Sequence, residues 1–216
     1  EGLIEQQDLD DYHVVERPPL RGSYRGHPVL SMPPPSSGGV TLIQMLNILE
    51  GFDIAASGFG SADTLHLMVE SMRRAYADRA RHLGDPEFVE MPLQRLVSKE
   101  YADAQRKSIR EFVASGSSPD SFTWPTESKE TTHFSVIDAE RNAVSLTYTL
   151  EYSYGSGIVV PDGGFLLNNE MGDFNAGPGL TDSMGLIGTP ANLAAPGKRM
   201  LSSMTPTILN QDGEVF

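Results

Sequence analysis

An α+β fold is predicted by three observations. Long stretches before Phe112 carry apolar side chains at helical spacing, a run from Thr131 alternates apolar and polar residues, and a Ser/Pro/Gly-rich segment separates the two. The 216 residues are 39% apolar, enough for one good core. A formal net charge of −13 opposes nucleic acid or an anionic membrane as partner, since both need a basic surface. No apolar run approaches the roughly 18 residues that a membrane span needs. The absence of cysteine excludes disulfides, thiolate metal sites and a cysteine nucleophile.

The elements follow in order. After "PPPSSGG" at 33–39, a loop able to cap a helix, residues 40–50 are apolar at helical spacing and Gly51 is a natural stop. Residues 61–83 make the clearest helix. Leu65, Met68, Val69, Met72, Ala75, Tyr76 and Leu83 form its predicted core stripe, with Arg73, Arg74 and Asp78 turned away. Such methionines and a tyrosine at helical spacing read as packing, not as a cofactor box. A third helix is predicted from Ser98 to about Phe112, and 114–130, "ASGSSPDSFTWPTESKE", reads as an exposed linker. The chain therefore divides into a helical part, 1–130, ending in that linker, and a β-rich part, 131–216. The final stretch "TPTILNQDGEVF" reads as a strand, a Gln-Asp-Gly turn and a strand barely begun, and Glu1 is not an initiator methionine. Both features lead us to expect an interior piece of a longer protein.

The stretch "TTHFSVIDAERNAVSLTYTLE", from Thr131 to Glu151, is predicted to be a hairpin closing on Ala139, Glu140 and Arg141. Pairing Asp138 with Asn142 then puts Thr131 directly opposite Thr149, and opposed Cβ atoms on one face lie about 5 Å apart. A threonine hydroxyl is a poor nucleophile without a base beside it. A cut before Thr131 would supply one, because the new α-amine has an intrinsic pKa near neutrality. Thr149 could then orient the Thr131 hydroxyl. The same residues also read simply as a β-rich strand start.

Three further features bear on the choice. "LLNNEMGDFN" sets Glu170 and Asp173 three apart, a polar turn or a carboxylate pair able to hold an ammonium group. "KRMLSSMTPT" offers Ser202 and Ser203, which could hold a carboxylate or satisfy backbone. No lysine or arginine occurs between Arg141 and Lys198, so a site here would welcome an amine and would have to borrow a cationic partner for a carboxylate from elsewhere. His13, His27, His66, His82 and His133 lack ligand spacing, so no catalytic metal and no cofactor is expected.

With "SMPPPSSGG", "TTH", the threonine eighteen residues later, "LLNNEMGDF" and "LSSM" in this order, the whole chain resembles the γ-glutamyltranspeptidase (glutathione hydrolase) family. The resemblance implies the αββα sandwich of N-terminal-nucleophile hydrolases, here partial, and a precursor that cleaves itself into large and small subunits. It makes 1–130 the end of the large subunit and 131–216 the start of the small one, with self-cleavage at the Glu130–Thr131 bond. It makes Thr131 the nucleophile that forms a γ-glutamyl ester, Thr149 its partner, Glu170 and Asp173 the grip on the substrate's α-amine, and Ser202 and Ser203 the contacts to its α-carboxylate. The implied donors are glutathione or other γ-glutamyl compounds, and the implied acceptors are water or an amino-acid or peptide amine. A periplasmic or secreted location is implied as well.

The chain departs from the family pattern in places. Glu151, in the substrate-binding set, stands where many members have asparagine, and Met184 stands where an aromatic gate is expected in the lid segment 177–189. The family's carboxylate-binding arginine falls before Glu1 and its oxyanion-hole glycines fall after Phe216, so these residues alone are expected to be inert. A poly-γ-glutamate hydrolase or transpeptidase, a cephalosporin-type acylase, and an uncleaved binding homologue remain alternatives.

Overall fold

The computed structural model describes residues 4–110, 112–116, 131–175 and 189–215. In chain order these form α1 (Gln6–Asp11), β1 (Leu20–Tyr24), β2 (His27–Ser31), α2 (Gly38–Leu49), α3 (Ile54–Ser57), α4 (Ala62–His82), α5 (Leu93–Leu96), α6 (Lys99–Arg106), β3 (Thr131–Ile137), β4 (Ala143–Thr149), 3-10 turns at Glu170–Asp173 and Pro190–Asn192, β5 (Thr207–Gln211) and β6 (Glu214–Val215). The architecture is α+β, as predicted.

The three predicted helices are α2, α4 and α6. Ser61 caps α4 by accepting the Thr64 N–H at 3.1 Å, and Ser98 caps α6 by accepting that of Tyr101 at 3.1 Å. Helix α6 ends at Arg106, short of Phe112, because the next residues tighten into i→i+3 bonds: Ser108 N–H donates to Gln105 and Ile109 N–H to Arg106. Helix α2 lies at the centre, with Val40, Ile43 and Ile48 buried. Val40 packs with Leu83, Leu96 and Leu201, so the core draws on both ends of the sequence.

Helix α4 buries only part of the predicted stripe, Ala75 and Leu83. Leu65, Met68 and Val69 are exposed, while Leu67, Ala75, Asp78 and Arg79 are buried. Asp78 turns inward because donors wait for it: Gln44 of α2 reaches Oδ2 at 2.9 Å and the Tyr101 hydroxyl of α6 at 2.9 Å. Those partners lie far away in sequence, where a hydropathy stripe cannot register them.

Two strands also precede the three predicted helices. The β1–β2 hairpin turns on Arg25 and Gly26, both with positive φ (49° and 86°), the geometry of a tight hairpin turn. Its strand β2 pairs antiparallel with β5, Val29 opposite Leu209, in a sheet ordered β1-β2-β5-β6. One sheet thus joins 1–130 to 131–216. The strand, turn and strand of the final stretch are β5 and β6.

The β3–β4 hairpin has the predicted register, with Thr131 opposite Thr149 and Ile137 opposite Ala143. Asp138 fixes the loop by accepting the Asn142 N–H at 2.8 Å, and Arg141 adopts the left-handed region (φ 69°) to close it. The hairpin touches the sheet where Thr207 N–H donates to Ser145 Oγ at 3.1 Å.

Most of the predicted linker, 117–130, lies outside the described residues. Its beginning is anchored. Glu70 on α4 is 1% exposed and accepts from Arg74 at 2.6 Å, from Ser115 N–H at 2.8 Å and from the Ser115 hydroxyl at 2.5 Å. Burial alone would raise this carboxyl, but the Ser115 and Arg74 donors outweigh it and hold the pKa at about 2. The stabilisation from this depressed pKa is complete above the ordinary value of 4.5 and fades as pH falls toward about 2. Glu70→Gln should lower Tm by several degrees at neutral pH. It should also flatten the pH dependence of Tm between those two values, as read by thermal melts across the range.

Candidate active site

Pleating sorts the β3–β4 hairpin into two faces. The odd-numbered side chains Thr131, His133, Thr147 and Thr149 line a cavity of about 510 Å³. The even-numbered Phe134, Val136, Leu146 and Tyr148 are exposed on the other side. The Thr149 hydroxyl accepts the backbone N–H of Glu151 at 2.9 Å, which fixes its oxygen beside the strand end. His133 Nδ1 lies 2.8 Å from the Thr147 hydroxyl.

An acidic wall faces these hydroxyls. Glu151, Glu170 and Asp173 all line the same cavity. Glu151 is 5% exposed and ends the hairpin with φ 72°, a region that a side chain of this length adopts at a cost. Its carboxylate lies against Gly172, where a Cβ would come to 2.5 Å from Oε1, so a side chain there would push the Glu151 carboxylate aside. Glu170 is 9% exposed, and its pKa is raised to about 7, first by burial and then by the charges of Asp173 and Glu151. Three carboxylates in one low-dielectric wall cannot all ionise freely, and a cation entering among them would relieve the repulsion.

The third wall is built from two distant segments. Ser37 N–H donates to Ser202 O at 2.8 Å, Ser202 N–H to Pro35 O at 3.0 Å, and the Ser36 hydroxyl to Met204 O at 2.6 Å. No Cβ fits at Gly38, which abuts Thr205 and the Met204 and Ser203 carbonyls. This joint sets Ser202 and Ser203 at the cavity edge. Arg79, 8% exposed, enters from α4 and donates to Ser37 Oγ at 2.9 Å and Ser203 Oγ at 3.3 Å.

Thr131, Thr149, Glu151, Glu170, Asp173, Ser202 and Ser203 therefore share one cavity. Glu130 and Met184 lie outside the described residues. Arg79 and Asn192 are additions that sequence patterns do not mark, while His133 stands in the "TTH" motif with no role assigned to it there. Asn192 is buried, donating to Asp173 O at 2.7 Å and accepting Leu201 N–H at 2.9 Å, so one amide ties the acidic turn to the serine wall. Among the described residues no group of three or more His, Asp or Glu could hold a metal ion.

The fold is the α+β fold, here partial, of the N-terminal-nucleophile hydrolase structures. The family profile described as Gamma-glutamyltranspeptidase matches residues 1–216, and the chain belongs to that family. It is 50% identical to the glutathione hydrolase proenzyme of Escherichia coli (strain K12), with all of this chain and 37% of that protein aligned. It is 42% identical to the acylase ACY 1 proenzyme of Pseudomonas sp. (strain SE83), over 99% of this chain and 36% of that one. Cephalosporin acylase from Bacillus halodurans superposes with a TM-score of 0.77 at 26% identity, covering 99% of this chain and 36% of that chain. Helicobacter pylori γ-glutamyltranspeptidase superposes with a TM-score of 0.52 at 44% identity, covering 53% of this chain and 33% of that chain. The chain thus spans a little over a third of its curated relatives.

Glu151→Asn removes one charge from the acidic wall and places at φ 72° a residue better suited to it. The Glu170 carboxyl should then titrate below about 7, as followed by NMR of 13C-labelled glutamate. The protein should gain about 1 kcal/mol of stability at neutral pH.

Proposed function

We propose that the protein is a γ-glutamyl transferase/hydrolase that cuts its own chain before Thr131 and uses Thr131 to form a γ-glutamyl ester. The observation that carries this reading is the cavity in which a threonine at a strand start faces three carboxylates, three serines and one arginine. Such a lining suits an α-amino acid head group, with the ammonium toward Glu151, Glu170 and Asp173 and the carboxylate toward Ser202 and Ser203. The Ser202 oxygen accepts Met204 N–H at 3.1 Å, which leaves its hydrogen available to a carboxylate.

In this mechanism the freed α-amine of Thr131 takes the proton of its own hydroxyl as Oγ attacks the γ-amide carbonyl carbon. The C–N bond breaks, the leaving amine carries that proton away, and the acyl group stays as an ester on Thr131. Water or an amino-acid or peptide amine then attacks the ester carbonyl carbon and gives a proton to the same base, the acyl C–O bond to Thr131 breaks, and that proton passes from the α-amine to the departing Oγ, restoring the free threonine. Thr149, held by Glu151 N–H, supports the Thr131 oxygen. Residues 1–130 and 131–216 belong to the large and small subunits of one precursor, and the protein acts in the periplasm or outside the cell. Glutathione is the donor that the relatives' names favour. The acylase relatives raise a second reading, an amide hydrolase for acyl groups without an α-amine. The acidic wall weighs against it.

The intact mass of the purified full-length product distinguishes a self-cleaving enzyme from an uncut binding homologue. Wild type should give two fragments, the smaller beginning at Thr131, and Thr131→Ala should give one. An uncut wild-type chain sinks the proposal. For an amine-bearing γ-glutamyl amide, KM should fall as pH rises through about 7, because ionised Glu170 is the form that attracts the ammonium. Glu170→Gln should flatten that limb, as measured by initial rates from pH 6 to 8.5, on the order of the ordinary assay window.

A further inference from the structure

We infer that Arg79 is a positioning residue of the carboxylate end of this cavity, acting through the hydroxyl of Ser203. The inference rests on the γ-glutamyl reading and adds a residue to it. Among the described residues that line the cavity, Arg79 is the one lysine or arginine, set in the serine wall of a cavity that also carries three carboxylates. Its fork reaches two serines, with Nε on Ser37 Oγ at 2.9 Å and a terminal nitrogen on Ser203 Oγ at 3.3 Å.

Hydrogen-bond direction decides what this does. A guanidinium can only donate, so both serine oxygens accept from it and must send their own hydrogens elsewhere. Ser37 sends its hydrogen to Ser202 O at 2.8 Å. Ser203 is exposed at the cavity edge, so its hydrogen is left to an incoming acceptor. Arg79 thereby turns Ser203 into a donor and polarises it with a positive charge behind the oxygen, a pairing matched to a carboxylate. A lysine has no planar fork, so it cannot satisfy Ser37 and Ser203 with the same geometry.

The test uses the full-length, self-cleaved protein and two anilides. One is γ-glutamyl anilide and the other is its 4-aminobutanoyl counterpart, which keeps the amine and lacks the α-carboxylate. Arg79→Gln should lower kcat/KM for the first by about 10- to 100-fold, mainly through KM, the size of a lost hydrogen bond to a charged group. It should leave the second within about twofold, and Arg79→Lys should fall between. In a Ser203→Ala background, Arg79→Gln should cost little more, because the two residues act as one unit. Equal losses on both anilides, or additive losses in the cycle, would overturn the inference by making Arg79 a structural pin. If Arg79→Gln does not fold and self-cleave, Arg79→Lys and Ser203→Ala decide the question by the same comparison. A wild type that hydrolyses neither anilide overturns the γ-glutamyl reading itself, and the inference with it.

Discussion

Everything else in the structure depends on the joint between the Pro35–Gly38 loop and the Ser202–Thr205 segment. The backbone bonds across it leave no room for a side chain at Gly38, and they seat the N-terminus of α2 directly on the second segment. With that joint fixed, β2 and β5 come into register and Leu201 reaches the core beside Val40. The β3–β4 hairpin then hangs from β5 through Ser145 and Thr207. The cavity is the space left between hairpin, helix and joint. Its shape is a consequence of main-chain contacts, which tolerate little drift.

The charges inside it are arranged at a cost. Glu151 holds a left-handed backbone, Glu170 sits buried beside two other carboxylates, and Arg79 is drawn into the interior from a helix. Each is unfavourable for folding when considered alone. Together they create a field that runs from acidic to basic across the cavity, fixed before any ligand arrives. A pre-oriented field of this kind spares the reorganisation that water would require.

Much of this was legible from local pattern. Ser61 and Ser98 announce helix starts because a hydroxyl before a periodic run has a local cause, and the hairpin register follows from a three-residue loop flanked by alternating residues. The β1–β2 hairpin is harder to see. Arg21, Gly22, Ser23, His27 and Pro28 are weak strand formers, and they are held in the sheet by β5, which arrives some 180 residues later, a separation beyond any local signal. Part of the inner face of α4 is missed for a related reason. Hydropathy places Asp78 on the surface, while its partners sit on α2 and α6. Of the site, the threonines, the carboxylates and the serines stand in short motifs. Arg79 and Asn192 act through tertiary contacts alone, and nothing in their neighbours' identities points to them.

The sheet that joins the two parts of the chain gives folding a memory. While the backbone is continuous, β2 and β5 are tethered, and the search for their pairing is a loop closure whose entropic cost grows only slowly with length. If the bond before Thr131 is cut, the same strands belong to separate molecules. They stay together as long as the sheet and the joint persist, yet once parted they must meet by diffusion, each with unpaired edges exposed. Such a protein would assemble once, as a single chain, and carry its shape afterward as a record of a connection that no longer exists.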